Sequence, residues 1–447
     1  MTLQPTSGLL VFVPQITPRV IYTFEFIFRN ILGIQVDLCT HPEEFVPVNS
    51  PKINYSNENS LGGIFINAHS LLFSSNLVPQ PIETVEFEHT KYFFPAAGNS
   101  LLPFDPFAMT FYLVTRYEEY LNEHTDDHNR FTDAENILVK LGIHQTPVID
   151  RMAYRIAEII KSVYPSFNPR KRSFKLLTTI DIDSAWAYKN KKWGVTLGGA
   201  AKNALQGNWS SLLERASVLI GLKNDPFDTF AYILHLCEGR FDKLLFFFLL
   251  ADRNQFDKNI PFNNNDFRKL IREIASFCEV GIHPSYMSND KLWMFETEKK
   301  RLEAIIGRKV TKSRQHYLKL KFPQTYRTEI KEGITDDYTM GFAGLAGFRA
   351  GTCTPFHFFD LGCNQQTPLV VHPFQVMDVA LKNYMDLQPG QAIELIENLM
   401  VEVKSVDGTF VSLFHNESLG EWNDWNGWRG VFEHMLEKGK KLENEPS

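Results

Sequence analysis

The hydrophobic residues in the second half of the chain occur in short runs, separated by segments with a helical period. Runs of four to eight apolar residues bounded by turn signals predict buried strands, and apolar positions three and four apart predict amphipathic helices. The predicted strands are 174–180, 244–250, 279–282, 310–315, 369–371 and 409–414, with shorter ones near Ile334 and at 347–348. The predicted helices between them include 266–277, 291–306, 323–332 and 390–404. Strand and helix alternating seven or eight times over about 250 residues predict an α/β fold with a deformed (β/α)7-8 barrel.

The first part of the chain has a similar but less regular pattern. Strands are predicted at 9–13 and 63–67, and a helix is predicted at 105–121, with Asp105 as its N-cap and Pro106 in its first turn. The polar run at 124–130 (HTDDHNR) is interpreted as a solvated loop rather than a metal site. The segment 164–173 combines two prolines with three consecutive basic residues and predicts a boundary. We therefore expect an N-terminal α/β accessory domain at 1–165 and the barrel at 174–440.

Composition narrows the class of protein. A chain of 447 residues with 44% hydrophobic and 22% charged residues is expected to form two or three globular domains. A net charge of −6 with dispersed Lys and Arg argues against nucleic-acid binding. The longest apolar run, 244–251, is too short to span a membrane, and the N-terminus lacks the basic start of a signal peptide. Five scattered cysteines without a Cys-x-x-Cys pattern predict neither disulfides nor a structural zinc site. The expected compartment is the cytoplasm, and the sequence leaves the oligomeric state open.

Two carboxylates, Asp181 and Asp183, stand where the first predicted barrel strand meets its loop. The carboxyl ends of parallel strands are where active sites of α/β proteins assemble, although an Asp there is also a common helix cap or turn former. Other reactive side chains fall at the ends of later predicted strands: Asp252, His283, His316, Arg349 and His415. Their common level in the fold favours a shared site over unrelated structural roles.

One carboxylate with two imidazoles suits Zn²⁺ or another divalent transition metal, with Co, Ni or Fe as further possibilities. Such a metal can polarise a carbonyl and lower the pKa of bound water to about 7, as hydrolysis of an amide or ester requires. A second carboxylate would then serve as general base. His415, at the end of the last predicted strand, is placed to protonate the leaving group.

Four motifs carry a resemblance to a known family. They are TIDID at 179–183, GIHPS at 281–285, GFRAG at 347–351 and LFH at 413–415. In this order they resemble the polysaccharide deacetylases with a NodB-type domain, carbohydrate esterase family 4, over roughly residues 174–430. The chain resembles more closely a bacterial branch of that superfamily with an N-terminal α/β domain, in which blocks like SRQHYL at 313–318 also recur.

The resemblance implies a role for each motif residue. Asp181 would be the base, Asp183 and His283 metal ligands, Arg349 the residue that orients the base, and His415 the acid.

The second metal histidine of the family lies four residues after the first, and here that position is Met287. A thioether is a soft ligand that suits a hydrolytic metal poorly. We therefore predict that His316 supplies the second imidazole, with Ser285 or a water as the alternative.

These features predict a metal-dependent hydrolase that removes an N- or O-linked acetyl group from a carbohydrate or a sugar-containing intermediate. The expected substrate-binding residues are Asp252, Trp186, Ser285 and Tyr286. Two alternatives remain open at this point: a catalytically inactive carbohydrate-binding relative, and a glycoside hydrolase that uses the paired carboxylates. Oxygen chemistry at an Asp/His/His iron site is a weaker third, since it leaves Asp181, Arg349 and His415 without a role.

Overall fold

The computed structural model describes residues 8–122, 124–205, 207 and 209–445. Its first sheet contains four parallel strands in the order β2-β1-β3-β4. We number the strands and helices of this first half along the chain: β1 Leu9–Phe12, α1 Pro18–Phe24, β2 Val36–Cys39, α2 Pro42–Phe45, β3 Lys52–Ser56, β4 Ile64–Asn67, β5 Thr84–Phe87, β6 Thr90–Phe93, α3 Pro106–Val114, α4 Ile137–Lys140 and α5 Val148–Val163. A π-helix, Glu25–Ile31, continues α1, and β5 and β6 form a separate antiparallel ribbon.

The predicted start of helix α3 is confirmed. The Asp105 side chain accepts hydrogen bonds from the backbone N–H groups of Phe107 and Ala108, and Pro106 occupies the first turn. The helix is shorter than predicted, because Arg116 adopts a left-handed conformation with φ of 53°. A short 3₁₀ helix, Tyr117–Tyr120, follows and carries Glu119.

The second sheet has nine strands and dominates the rest of the chain. Its strands are β7 Lys175–Ile182, β8 Leu244–Leu249, β9 Glu279–His283, β10 Lys312–Ser313, β11 Asp336–Asp337, β12 Phe356–Asp360, β13 Gln365–Val371, β14 Val376–Met377 and β15 Thr409–His415. The helices are α6 Trp193–Leu205, α7 Trp209–Leu219, α8 Phe230–Leu236, α9 Asn265–Phe277, α10 Leu292–Ile306, α11 Gln324–Lys331, α12 Pro389–Ser405 and α13 Trp428–Asn444. In the described ranges, no helix combines the length and the apolar character needed to cross a bilayer.

The strand order is β12-β13-β11-β10-β9-β8-β7-β15-β14. All neighbours pair in parallel except β12 and β13, which are antiparallel. Strand β8 is buried along its whole length, as a central parallel strand covered on both faces should be. The α/β class with a parallel sheet is thus confirmed.

A closed (β/α)7-8 barrel is not found, because no pairing between the described residues joins β12 to β14. The outer edge of β13 is occupied by β12, which the sequence pattern did not predict. Strand β12 is covered in turn by the first half of the chain. The Tyr22 hydroxyl donates to the His357 carbonyl at 2.7 Å, and the Phe26 ring lies 6.1 Å from that of Phe356. A strand that would close the barrel therefore has no free edge to pair with on this side.

The segment predicted as a strand at 347–348 instead joins the two halves. The Phe348 N–H donates to the His144 carbonyl at 2.7 Å, and the Ile149 N–H donates to the Gly351 carbonyl at 3.0 Å. Gly347 has a φ of 142°, and a Cβ there would collide with the His144 carbonyl. Only glycine allows this close approach.

Helix α13 packs against the start of β7 through Gly439. A Cβ at Gly439 would collide with the buried Leu176 side chain, whereas a Cβ at exposed Gly430, in the same helix, meets nothing within 4 Å. We predict that Gly439→Ala lowers the free energy of unfolding by about 1–3 kcal/mol through overpacking. Gly430→Ala is expected to raise it by up to about 1 kcal/mol through helix propensity. Denaturant midpoints compare the two, and equal stability of both variants would contradict this packing.

Candidate metal centre

The carboxyl ends of the parallel strands meet at one edge of the second sheet. In the pairing register, His415 of β15 lies opposite Asp181 of β7, and Leu249 of β8 lies opposite His283 of β9. A cavity of about 480 Å³ opens at this level. Its lining includes Asp181, Asp183, Lys191, His283, His316, His415 and Glu417. The structure therefore brings together five of the residues predicted from the strand ends.

Asp183, His283 and His316 form a compact cluster whose ligand atoms all lie within 4.8 Å of one another. The Nε2 of His283 is 3.3 Å from Asp183 Oδ1, and the Nε2 of His316 is 3.4 Å from Asp183 Oδ2. Both imidazoles are buried, whereas the Asp183 side chain retains 31% exposure towards the cavity. Met287 lies in the short 3₁₀ helix Tyr286–Asn289 and is not part of the cavity lining.

The ring orientation of each histidine is set by a hydrogen bond at its other nitrogen. His283 Nδ1 donates to the Arg314 carbonyl at 2.5 Å, and His316 Nδ1 contacts Asp257 Oδ1 at 2.7 Å. A carbonyl oxygen only accepts, so Nδ1 of His283 carries the proton and Nε2 presents its lone pair. This arrangement is typical of metal-binding histidines, in which the second nitrogen is held by a carbonyl or carboxylate.

Charge in the cluster also favours a cation. Asp183 Oδ1 is buried and has no hydrogen-bond partner among the described residues, since His283 Nε2, 3.3 Å away, presents a lone pair and not a proton. Burial would lower the pKa of His316, but Asp183 and Asp257 raise it to about 9. Burial would likewise raise the pKa of Asp183, but the neighbouring histidines lower it well below its usual range. These residues could therefore hold a divalent metal, whose positive charge would compensate that of the Asp183 carboxylate.

Asp181 is held by a buried arginine. Arg314 Nη1 donates to Asp181 Oδ1 at 2.9 Å and lies 2.6 Å from Thr179 Oγ1, while its Nε donates to the Tyr338 carbonyl at 2.9 Å. Arg314 is 0% and Asp181 2% exposed, so this is a buried, hydrogen-bonded ion pair. Asp181 Oδ2 lies 3.8 Å from His283 Nε2, next to the metal cluster.

The structure does not bring Arg349 to Asp181, as the family resemblance implied. Arg349 instead makes a bidentate pair with Glu119, at 2.7 and 3.2 Å, and donates to the Gly341 carbonyl at 3.0 Å. Glu119 also accepts from Arg116 at 2.8 Å. Through these contacts the Arg349 guanidinium links the two halves of the chain. Arg314 is the arginine that lies beside Asp181.

His415 forms a second charged pair at the cavity wall. Its Nδ1 and its backbone N–H each lie 2.7 Å from a different oxygen of the fully buried Asp378. Burial would lower the pKa of His415, but Asp378, with Asp183 and Asp181, raises it well above its usual range. These carboxylates favour the protonated form of His415.

The four predicted substrate-binding residues lie outside the cavity lining. Trp186 is 7% exposed and packs on Phe267, and Tyr286 stacks on Phe256 with ring centroids 3.9 Å apart. Ser285 is buried, with its N–H donating to Glu298. Asp252 points to solvent and pairs with Arg301 at 3.0 Å. The aromatic residues that do line the cavity are Phe227, Phe256, Tyr317, Tyr384 and Trp425.

Sequence reasoning missed three partners at the site, Arg314, Asp257 and Asp378. Arg314 had a usable signal, since it lies near the carboxyl end of the predicted strand 310–315, two residues before His316. Asp257 lies in a loop after β8, and Asp378 follows the two-residue strand β14, which was not predicted. Only the folded chain shows which histidine each carboxylate meets.

The chain matches one protein family in its first part and is similar, at low sequence identity, to several solved structures. A family of unknown function (DUF7033) matches residues 9–165, and no curated protein matches the chain. A candidate polysaccharide deacetylase from Mycobacterium smegmatis is 15% identical, with a TM-score of 0.39 over 60% of this chain and 85% of that one. A polysaccharide deacetylase from Bacillus cereus is 11% identical, with a TM-score of 0.29 over 61% and 88% of the two chains.

A 4-alpha-glucanotransferase from Thermococcus litoralis is also similar, at 13% identity and a TM-score of 0.35. The match covers 62% of this chain and 38% of that one. Sequence identities of 11–15% with TM-scores below 0.5 do not indicate the chemistry of the site.

Asp257 provides a test of the metal centre that leaves its three candidate ligands intact. We predict that Asp257→Asn weakens Zn²⁺ binding by about 10–100-fold, because the amide holds the His316 ring less firmly than the carboxylate. Competition with a chelator measures the dissociation constant. Asp252→Asn is the matched control, since Asp252 is exposed and contacts Arg301. Equal affinities of the two variants would show that Asp257 does not support a metal ligand.

Proposed function

We propose that the protein is a metal-dependent hydrolase that removes an N- or O-linked acyl group, such as acetyl, from a carbohydrate or a sugar-containing molecule. One observation carries the proposal. An Asp/His/His cluster is accompanied in the same cavity by a carboxylate paired with Arg314 and by a histidine paired with Asp378. A metal site together with a base and an acid is the set that acyl hydrolysis requires.

Asp183, His283 and His316 are the proposed metal ligands. Their donor set of one carboxylate oxygen and two imidazole nitrogens suits Zn²⁺, and also Co²⁺, Ni²⁺ or Fe²⁺. A divalent ion held there would supply Lewis-acid chemistry at the acyl carbonyl. Asp257 and the Arg314 carbonyl hold the two imidazoles in orientation from behind.

Asp181 is the proposed general base. Its hydrogen-bonded ion pair with Arg314 Nη1 fixes the side chain through Oδ1. Oδ2 is left to accept the proton of the attacking water, next to His283. Arg314 thus takes over the orienting role that the resemblance had given to Arg349.

His415 is the proposed general acid. Asp378 binds Nδ1, so Nε2 is the nitrogen left to donate a proton. Since neighbouring carboxylates keep the imidazole protonated, it can protonate the departing amine or alkoxide as the acyl bond breaks. Asp181 and His415 lie opposite each other on paired strands, and both line the cavity.

Two features support a sugar as the substrate. The four ordered motifs resemble those of carbohydrate deacetylases, and three of them supply proposed catalytic or metal-binding residues. The aromatic side chains in the cavity wall, including Phe227 and Trp425, provide flat apolar faces of the kind that stack on sugar rings.

Acetate release from a panel of N- and O-acetylated sugars tests the proposal, with metal content measured on the same samples. We expect Asp181→Asn to keep its metal and to lose about 10²–10⁴-fold in kcat, because proton transfer from water is lost. Asp183→Asn and His283→Ala are expected to lose the metal as well. Asp266→Asn, an exposed position in α9, is the control.

Three outcomes would contradict the proposal. Full turnover in Asp181→Asn would show that Asp181 is not the general base and would contradict the proposed mechanism. A protein that binds sugars and metal but releases no acetate would be an inactive relative. Metal-independent cleavage of glycosidic bonds would make it a glycosidase.

A further inference from the structure

A lysine without a counter-ion faces the proposed active site. Lys191, in the loop between β7 and α6, is half-buried and lines the cavity together with Asp183 and His316. Within the described parts of the chain, its ammonium group makes neither a hydrogen bond nor an ion pair. Burial, and then the charge of Arg253, lower the pKa of Lys191 to about 8.

Two carboxylates, Asp225 and Glu417, influence Lys191 through their charge, but neither forms an ion pair with it among the described residues. The oxygens of Asp225 accept the backbone N–H groups of Ala187, Tyr188 and Lys189 at 2.7, 2.8 and 3.0 Å. Glu417 lines the same cavity, but its carboxylate makes neither a hydrogen bond nor an ion pair with Lys191. An ammonium group removed from water without a full counter-ion is unfavourable unless a ligand supplies one.

More positive charge lies on the same side of the cavity. Lys258, on the loop after β8, also lines it, and its ammonium group is likewise unpaired among the described residues. Arg253 donates to the Lys258 carbonyl at 2.7 Å, which places a further guanidinium on that loop. Arg215 lies over the Tyr188 ring at 4.7 Å, close enough to influence Lys191. Four basic side chains therefore lie on this side of the cavity, beside the two carboxylates Asp225 and Glu417, in a protein whose net charge is −6.

We propose that the acylated sugar bound in this cavity carries an anionic group, a carboxylate or a phosphate, that pairs with Lys191 and with Lys258 at the rim. The inference rests on the proposed function, since it names the class of substrate for the same site. The anion supplies the charge that Lys191 lacks, while the acyl group is directed towards Asp181 and the Asp183 cluster. A charge-assisted hydrogen bond of this kind discriminates against neutral sugars.

Three probes that differ only at carbon 6 test this inference: N-acetylglucosamine, its 6-phosphate and its 6-carboxylate. We expect kcat/KM for the two anionic probes to exceed that for the neutral one by about 10-fold or more. Lys191→Met should abolish most of this preference, mainly through KM, and Lys191→Arg should keep it. Lys300→Met, which removes an exposed lysine paired with Glu296, is the control and should leave the preference unchanged.

Calorimetric binding of the same probes to the Asp181→Asn protein separates this inference from the proposed function. Anionic probes that bind more tightly than the neutral one, and lose that advantage in Lys191→Met, support the anion site even if no acetate is released. Equal binding and equal turnover of all three probes would overturn the anion site and leave acyl hydrolysis standing.

A second inference concerns the loop at 124–130, for which the sequence predicts only a solvated loop. The loop reaches the site from the first half of the chain, and its Arg130 is 8% exposed and lines the cavity. Arg130 Nε pairs with Asp126 at 2.7 Å, and Nη1 donates to the Tyr317 carbonyl at 2.9 Å. The His128 ring lies against the Tyr317 ring, with centroids 4.8 Å apart.

These contacts support a strained stretch of backbone directly after His316. Tyr317 and Leu318 have φ angles of 59° and 53°, in the left-handed region that residues other than glycine rarely adopt. Such conformations persist only where surrounding contacts hold them. The hydrogen bond from Arg130 and the ring of His128 are contacts of this kind, and they come from a distant part of the sequence.

We infer that Arg130 is a positioning residue, which holds the His316 imidazole at the metal centre by anchoring the Tyr317 carbonyl. This gives the first half of the chain a direct part in building the site. Arg240 provides a matched control at the far end of β7. It makes the same two kinds of contact, an ion pair with Glu443 and a hydrogen bond to the Leu176 carbonyl.

We expect Arg130→Gln to weaken Zn²⁺ binding by about 10-fold, because the backbone that carries His316 is loosened. Arg130→Lys should recover part of this loss, since one N–H can still reach the Tyr317 carbonyl. Arg240→Gln should lower Tm without changing the zinc dissociation constant. Hydrogen exchange at 316–319 needs no metal and should accelerate in Arg130→Gln only. Unchanged zinc affinity together with unchanged exchange would overturn the positioning role.

Discussion

Asp181, Asp257 and Asp378 are each at most 2% exposed, so every one of these carboxylates needs a positive or N–H partner close by. Arg314, His316 and His415 supply those partners, at 2.9, 2.7 and 2.7 Å. This need for charge compensation explains the geometry of the site. It orients the His316 imidazole towards Asp183 and fixes the proposed base by one oxygen. Asp183 Oδ1, which has no hydrogen-bond partner among the described residues, is where the proposed cation would bind.

The same constraint connects the two halves of the chain. Glu119, in the first half, is shared between Arg116 and Arg349, and Arg116 also donates to the Arg349 carbonyl at 2.8 Å. Arg130 repeats this pattern nearer the cavity, with one contact to Asp126 and another to the Tyr317 backbone. The first half therefore packs on the sheet and also contacts the backbone next to the proposed metal centre.

Much of the site can be predicted from the local pattern of hydrophobic and polar residues. Apolar runs located β7, β8, β9 and β15, and the residues that follow such runs must lie at one edge of a parallel sheet. This reasoning was enough to group Asp181, Asp183, His283, His316 and His415. It did not predict that Arg349 pairs with Glu119 or that Asp252 pairs with Arg301, because position after a predicted strand does not show which partner a long or exposed side chain reaches. It failed for the closed barrel, because β12 and its cover from the first half are long-range features.

The amino-acid sequence by itself determined the alternation of strands and helices, the cap of helix α3 and the set of reactive residues at the strand ends. These features depend on contacts between near neighbours and on the period of the hydrophobic residues, which can be read along the chain. Tertiary structure alone decided that Arg314 rather than Arg349 pairs with Asp181, that Asp257 and Asp378 hold the two histidines, and that the sheet stays open. Those choices depend on contacts between residues from 37 to 335 positions apart, which folding fixes and local pattern does not contain.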